Sequence, residues 1–193
     1  MTINTIGTSM TNRNTIDFVD ISPTHDDSTD HVNQVISQWK REKPDLQSDE
    51  MRLIARLLNC LKLIETKLNT LYSQYHLNHG EFDVLCALRR SGKPYKLTPT
   101  ELFSTLMITS GTMTNRLQQL QKKGFIIRSK NPLDARSLMV ELSPEGLSLI
   151  DDLIYQHVAI EKSLNQLLPD EMRSTLESGL GYWLHQLQSH QNQ

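Results

Sequence analysis

The stretch TPTELFSTLMITSGTMTNRLQQLQKKG, residues 98–124, constrains the fold more than any other part of the chain. It contains two helix starts and one helix stop. Thr98, followed by Pro99 at the first helical position and Glu101 three residues on, reads as a capping box. A second helix begins with Thr109 or Ser110 as its cap and ends at Gly124, the residue type that best tolerates left-handed backbone. Two capped helices joined by two or three residues form a helix-turn-helix. Beyond Gly124, FIIRSK and SLMVEL read as strands, with Leu138, Val140 and Leu142 alternating and Asn131-Pro132 in the turn between them. Helix, turn, helix and hairpin make a winged helix, so the expected fold class is mainly α (α+β).

The flanks are helical. In LNHGEF, Asn78 can cap a helix, Glu81 can reciprocate, and Leu77 and Phe82 can staple the entry; that helix stops near Gly92-Lys93-Pro94. Upstream, a helix from about Ser48 to Tyr75 carries Met51, Ile54, Leu57, Leu58, Leu61, Ile64, Leu68 and Leu71 on one side. Before it, Val32, Val35, Ile36 and Trp39 form the stripe of a shorter helix that ends by Pro44. Ser143-Pro144-Glu145 opens a helix running to about Leu168. Pro169-Asp170 opens the last, striped by Met172, Leu176, Leu180, Trp183, Leu184 and Leu187. The expected organisation is a flexible extension over 1–30, an extra helix over 31–47, and a winged helix-turn-helix over 77–142. Dimerisation helices over 48–76 and 143–190 flank it. Their surplus apolar surface is more than one small subunit can cover, and pairing across a two-fold axis would bury it, so a homodimer is expected.

The chain of 193 residues has a net charge of −2, which conceals an asymmetry. Residues 89–136 hold ten Lys and Arg against Glu101 and Asp134, a local excess of +8, and the remainder carries −10. One basic segment in an acidic chain is the footprint of local polyanion binding. Other classes are disfavoured. There is no phosphate-cradling glycine loop and no nucleophile with base and orienting partner, so no enzyme is expected. His76 and His79 form an isolated His-x-x-His, too little for zinc, and no metal or cofactor is expected. Cys60 and Cys86 fall in helical apolar patterns and read as core thiols, with oxidant sensing as the alternative. No apolar run approaches the roughly 20 residues of a membrane span, and the N-terminus lacks a secretory pattern, so a cytoplasmic location is expected.

On a helical wheel of about 100° per residue, Met113, Leu117 and Leu120 point inward. Gly111, Asn115, Gln118, Gln119 and Lys122 then point outward, with Thr112 and Thr114 on the flanks. Small, amide and hydroxyl groups of this kind can approach base edges in a major groove while the helix N-terminus at Ser110 meets phosphate. A hairpin beside that helix would carry Arg136 toward the minor groove or its phosphates, with Asp134 orienting the guanidinium. Arg116 lies about 60° from the inward direction, at the edge of the core and poorly aimed at bases.

Residues from about 48 to 190 resemble the MarR family of dimeric winged-helix transcription regulators. DARSLMVELSPEG is similar to that family's wing signature, Asp-x-Arg followed by a strand and Leu-Thr/Ser-x-x-Gly; the middle position, commonly Arg, is Ala135 here. VISQWKREKPDL, EFDVLCALRRSGKPYKLTPTEL and TMTNRLQQL further resemble the urate-responsive PecS/HucR-type branch, whose members carry an extra N-terminal helix. That resemblance implies a ligand site of Trp39, Asp83, Arg116 and Arg128, in which two guanidiniums attract an aromatic anion, the indole stacks on it and the carboxylate accepts hydrogen bonds. An interior ion pair of Asp83 with one arginine is the alternative reading of those residues.

The function this implies is a repressor held on a pseudo-palindromic operator and released by a small aromatic anion, urate or a phenolic or indole carboxylate. Two recognition helices would sit roughly 34–36 Å apart, and the ligand would favour the pose that does not fit DNA. A cysteine-based oxidant sensor and a ligand-independent architectural DNA binder are the alternatives.

Overall fold

The computed structural model describes residues 30–106, 110–130 and 138–191, with no side-chain detail at Ser110 or Gln191. The extension over 1–29, the candidate cap Thr109 and the wing-tip residues Asp134 and Arg136 lie outside the described residues. The chain divides into two units, Met1–Arg56 and Leu57–Gln193.

In the first unit, helix α1 spans His31–Glu42. Its cap is Asp30, whose carboxylate accepts from the Val32 N–H at 2.9 Å and pairs with Arg56 Nη2 at 2.9 Å. That backbone bond, then the guanidinium, holds the Asp30 carboxyl below its ordinary range. Val32 and Ile36 are buried as the stripe predicts, but Trp39 at its far end is 40% exposed. A short turn of 3₁₀ helix, Ser48–Glu50, leads into α2, Met51–Gln74. Asp49 binds both Lys40 and Arg52 at 2.7 Å and stitches α1 to the start of α2.

In the second unit, α2 contributes only Leu68, Leu71 and Tyr72 to the core; Leu57, Leu58, Leu61 and Ile64 are all exposed. Cys60 shares that surface and is exposed, which corrects the expectation of two core thiols, whereas Cys86 is buried. Helix α3, His79–Arg90, has the expected reciprocal cap: Glu81 N–H donates to Asn78 Oδ1 and Asn78 N–H to Glu81 Oε2, each at 2.9 Å. A two-residue strand β1, Lys96–Leu97, precedes α4, Pro99–Leu106. The Thr98 and Glu101 cap is also reciprocal, with Glu101 N–H donating to Thr98 Oγ1 at 3.2 Å and Thr98 N–H to Glu101 Oε2 at 2.7 Å.

Helix α5, Ser110–Lys122, ends where Gly124 takes φ +78°. There the Phe125 N–H reaches the Leu120 carbonyl and the Gly124 N–H the Gln121 carbonyl, both at 3.0 Å, the paired bonds of a Schellman stop. Strands β2, Ile126–Lys130, and β3, Leu138–Leu142, pair antiparallel with Arg128 opposite Val140. β1 adds to the other edge of β3, giving the order β1-β3-β2. Of the alternating leucines, Leu142 is buried and Leu138, paired with Lys130 at the turn end of the strands, is 38% exposed. Ser143 caps α6, Pro144–Asn165, by accepting from the Gly146 N–H at 2.9 Å, and donates to the Gly124 carbonyl at 2.7 Å. Helix α7, Asp170–Gln191, completes the chain with Leu176, Leu180, Leu184 and Leu187 exposed. The core gathers Leu85 and Leu88 of α3, Leu102 of α4, Leu117 and Leu120 of α5, Val140 of β3 and Ile150 and Leu153 of α6. Among the described residues, no helix is long and apolar enough to cross a membrane and no group of His, Cys, Asp and Glu is placed to hold a metal ion.

Candidate nucleic-acid interface and ligand pockets

The helix-turn-helix is built by α4 and α5, and its orientation follows from which side chains are buried. Met113, Leu117 and Leu120 enter the core. Gly111, Thr112, Thr114, Asn115, Gln118, Gln119 and Lys122 are exposed, so the wheel read from sequence is the face the helix presents. Ser110 stands at the helix start. Strand β2 packs against α5; Asp134 and Arg136 lie outside the described residues.

Arg116, on α5 itself, and Arg128, on β2, line different pockets. Arg116 lies over the first turn of α3, where a Cβ at Gly80 would overlap its guanidinium, and it lines a pocket of about 430 Å³ with Asn78, Gly111, Thr112 and Asn115. Arg128, on β2, lines a pocket of about 260 Å³ between α4 and α5 with Pro99, Thr100, Phe103, Met113, Thr114 and Leu117. Among the described residues, the buried atoms Arg116 Nη1 and Arg128 Nε have no hydrogen-bond partner. Of the four residues expected in one ligand site, Arg116 and Arg128 thus open into two different pockets. Asp83 is 37% exposed on α3 and faces His79 Nε2 at 3.5 Å, a weak pair rather than an interior bond to arginine. Trp39 belongs to the first unit.

The two pockets differ in chemistry. Around Arg128 the walls are Pro99, Phe103, Met113 and Leu117, with two threonines for polar contact, a setting that suits a flat anion. Around Arg116 the walls are polar and include the starts of α3 and α5, where backbone N–H groups favour negative charge.

Sequence reasoning missed the contact that seats the end of α5. Lys123 Nζ donates to Glu81 Oε1 at 2.6 Å and Oε2 at 2.7 Å, and the Glu81 side chain is only 2% exposed. Glu81 was legible as a capping residue, but a partner 42 positions away leaves no local signal. A second missed cluster lies behind α3: Tyr72 Oη meets His157 Nδ1 at 2.9 Å, and His157 Nε2 meets Glu161 Oε1 at 3.1 Å. Phe82 stacks on Tyr72 with ring centres 4.5 Å apart.

The MarR family model matches residues 77–138, the segment from the α3 cap to the start of β3. The HTH-type transcriptional regulator PecS of Dickeya dadantii is 35% identical over 150 residues, covering 78% of this chain and 90% of that protein. The multiple antibiotic resistance protein MarR of Salmonella typhimurium is 31% identical over 120 residues, covering 62% and 79%. Among solved structures, a mutant MarR from Escherichia coli complexed with operator DNA superposes with a TM-score of 0.60 at 26% identity, covering 76% of this chain and 97% of that one. With winged-helix geometry in place and relatives that regulate transcription, the chain belongs to the MarR family of DNA-binding transcription regulators and is not an enzyme.

Proposed function

We propose that the protein is a cytoplasmic homodimeric repressor that holds a pseudo-palindromic operator and releases it when a small aromatic anion binds. The observation that carries this reading is the division of α5 into a buried apolar face and an exposed face of amides, hydroxyls and Lys122. Gly111, Thr112, Thr114, Asn115, Gln118 and Gln119 approach base edges, while Ser110 and Lys122 meet phosphate. Asp134 and Arg136 serve the wing. The E. coli MarR complex with operator DNA supports the same use of the fold. Exposed leucines on α2 and α7 supply the surface for pairing two subunits.

The ligand is recognised by guanidinium, and two arginines with buried unpaired nitrogen atoms, Arg116 on α5 and Arg128 on β2, support that. The Arg128 pocket is the better fit for an aromatic acid, because its apolar walls desolvate a ring while Arg128 binds the anion. A ligand there wedges between α4 and α5 and shifts the helix that reads DNA. By linkage, DNA must weaken ligand binding by the same factor. Arg116, Asp83 and Trp39 are the further contacts implied by the PecS/HucR-type resemblance.

A thermal-shift screen of urate, salicylate, hydroxycinnamates and indole acids tests this, repeated on Arg128→Ala and Arg116→Ala. A shift lost in Arg128→Ala alone places the ligand between α4 and α5; a shift lost in Arg116→Ala alone places it at the α3 turn. A ligand indifferent to both substitutions removes the site.

A further inference from the structure

The capping boxes of α3 and α4 have the same design but different surroundings. Glu101 of α4 completes its box at the surface, using only Thr98. Glu81 of α3 completes the same circuit with Asn78 while buried, and its two oxygens also take Lys123 Nζ. Capping needs one carboxylate oxygen and no lysine, so the lysine serves something other than the start of α3. Here the Glu81 carboxylate is buried and Lys123 is half-buried; a desolvated ion pair is poor stabilisation compared with an apolar pair, and such pairs contribute most where they specify one geometry.

The geometry in question is that of α5. Lys123 follows its last residue, and Arg116 stands seven positions earlier, which places both on one face about two turns apart. Arg116 lies over Gly80, and Lys123 binds Glu81. One short segment, Gly80-Glu81, therefore receives both cations from the recognition helix. Lys122 next door is exposed. Adjacent lysines thus have different uses: Lys122 is free to meet phosphate, and the charge of Lys123 is already matched inside the protein.

We infer that Glu81 and Lys123 are positioning residues for sequence reading: their ion pair sets the rotation and advance of α5, so it governs discrimination between DNA sequences rather than affinity for DNA in general. This rests on the DNA-binding reading of α5. Phosphate attraction tolerates small changes in helix pose, whereas base-edge hydrogen bonds do not. Loosening the pair should therefore weaken binding to the preferred sequence far more than binding to an arbitrary one.

The test uses the full-length protein and a duplex selected by the wild type from a randomised pool, set against a scrambled duplex of equal composition. Affinities for both are measured across a salt series for the wild type, Lys123→Met, Lys123→Arg, Glu81→Gln, the double variant Glu81→Gln/Lys123→Met and Lys122→Ala. Lys123→Met and Glu81→Gln are expected to lose about tenfold or more on the selected duplex, equivalent to one good base contact, with the scrambled duplex and the salt slope nearly unchanged. Lys123→Arg restores discrimination. Lys122→Ala weakens both duplexes alike and lowers the slope by about one. The double variant leaves no unpaired buried charge; should Lys123→Met fail to fold, its loss of discrimination carries the same expectation. Equal weakening of both duplexes with a reduced slope in Lys123→Met makes Lys123 a phosphate contact and overturns the inference, as does undiminished discrimination in the double variant. If the wild type selects no sequence at all, the DNA-reading assignment of α5 fails instead.

Discussion

Ser143 and Gly146 explain at the level of single residues why the chain reads LSPEG after the wing. Ser143 caps α6 and simultaneously donates to the Gly124 carbonyl at the end of α5, so one hydroxyl joins two helix ends. Gly146 sits where a Cβ would overlap the backbone carbonyl of Phe125. Ser143→Ala is expected to cost about 1–2 kcal/mol, the usual worth of a lost N-cap with a second bond attached. Gly146→Ala is expected to cost about 1–3 kcal/mol, because the obstacle is backbone that cannot rotate aside. Chemical denaturation of each variant measures both. The cysteines separate on the same scale. Burial pushes the Cys86 thiol up to about 12, whereas Cys60 is exposed. An aromatic disulfide reagent should therefore titrate at most one thiol in the native protein and two in denaturant, and rapid loss of both without denaturant would contradict the buried placement. These residues also mark the limit of sequence reading. The Ser143 cap was legible because capping is local, while the fate of Cys60 depends on which part of a long stripe finds a partner.

At the level of elements, the helix boundaries were legible where a side chain answers its own backbone, Asn78 with Glu81 and Thr98 with Glu101, and where a glycine takes left-handed backbone, Gly124 at the end of α5. The inward and outward faces of α5 were legible for a similar reason, since a 3.6-residue period fixes them once three core positions are known. β1 was not legible, because two residues, Lys96 and Leu97, carry no alternation; their pairing with Glu141 and Val140 is a tertiary fact, reinforced by the Lys96–Glu141 ion pair at 2.9 Å. The split of the arginines into two pockets was equally hidden, since it depends on how α3 and α4 pack against α5. The α4 cap yields a pH dependence. The Thr98 backbone N–H, then its hydroxyl, holds the Glu101 carboxyl below its ordinary value. A folded-state pKa lower than the unfolded one stabilises above the unfolded value, about 4.3, and the benefit disappears as pH falls through the folded value. The gap in melting temperature between the wild type and Glu101→Ala should thus hold steady near neutrality and narrow below about pH 4. A gap that widens on acidification would reverse the sign and exclude the carboxylate as the cause.

For the whole molecule, the decisive quantity is uncovered apolar surface. Leu58 is 59% exposed and Leu61 49% on α2, and Leu184 is 55% exposed on α7, all at helical spacing on elements outside the winged helix. Apolar side chains exposed in this way along a helix are what the proposed pairing of two subunits would cover. In the proposed dimer the same surface would link assembly to DNA reading, because a pseudo-palindrome needs two recognition helices at a fixed separation and one subunit supplies one. Leu58→Asp with Leu61→Asp leaves the core residues Leu68, Leu71 and Tyr72 in place while setting charge on the stripe. The double variant is expected to sediment as a folded monomer. Its affinity for a two-half-site duplex should fall by at least about tenfold, while binding to a single half-site changes little, since only the tethering of the second half-site is lost. Sedimentation velocity and titration with the two duplexes decide the matter. A variant that remains dimeric moves the interface elsewhere, and a wild type that is monomeric while binding the full site tightly breaks the link between symmetry and reading.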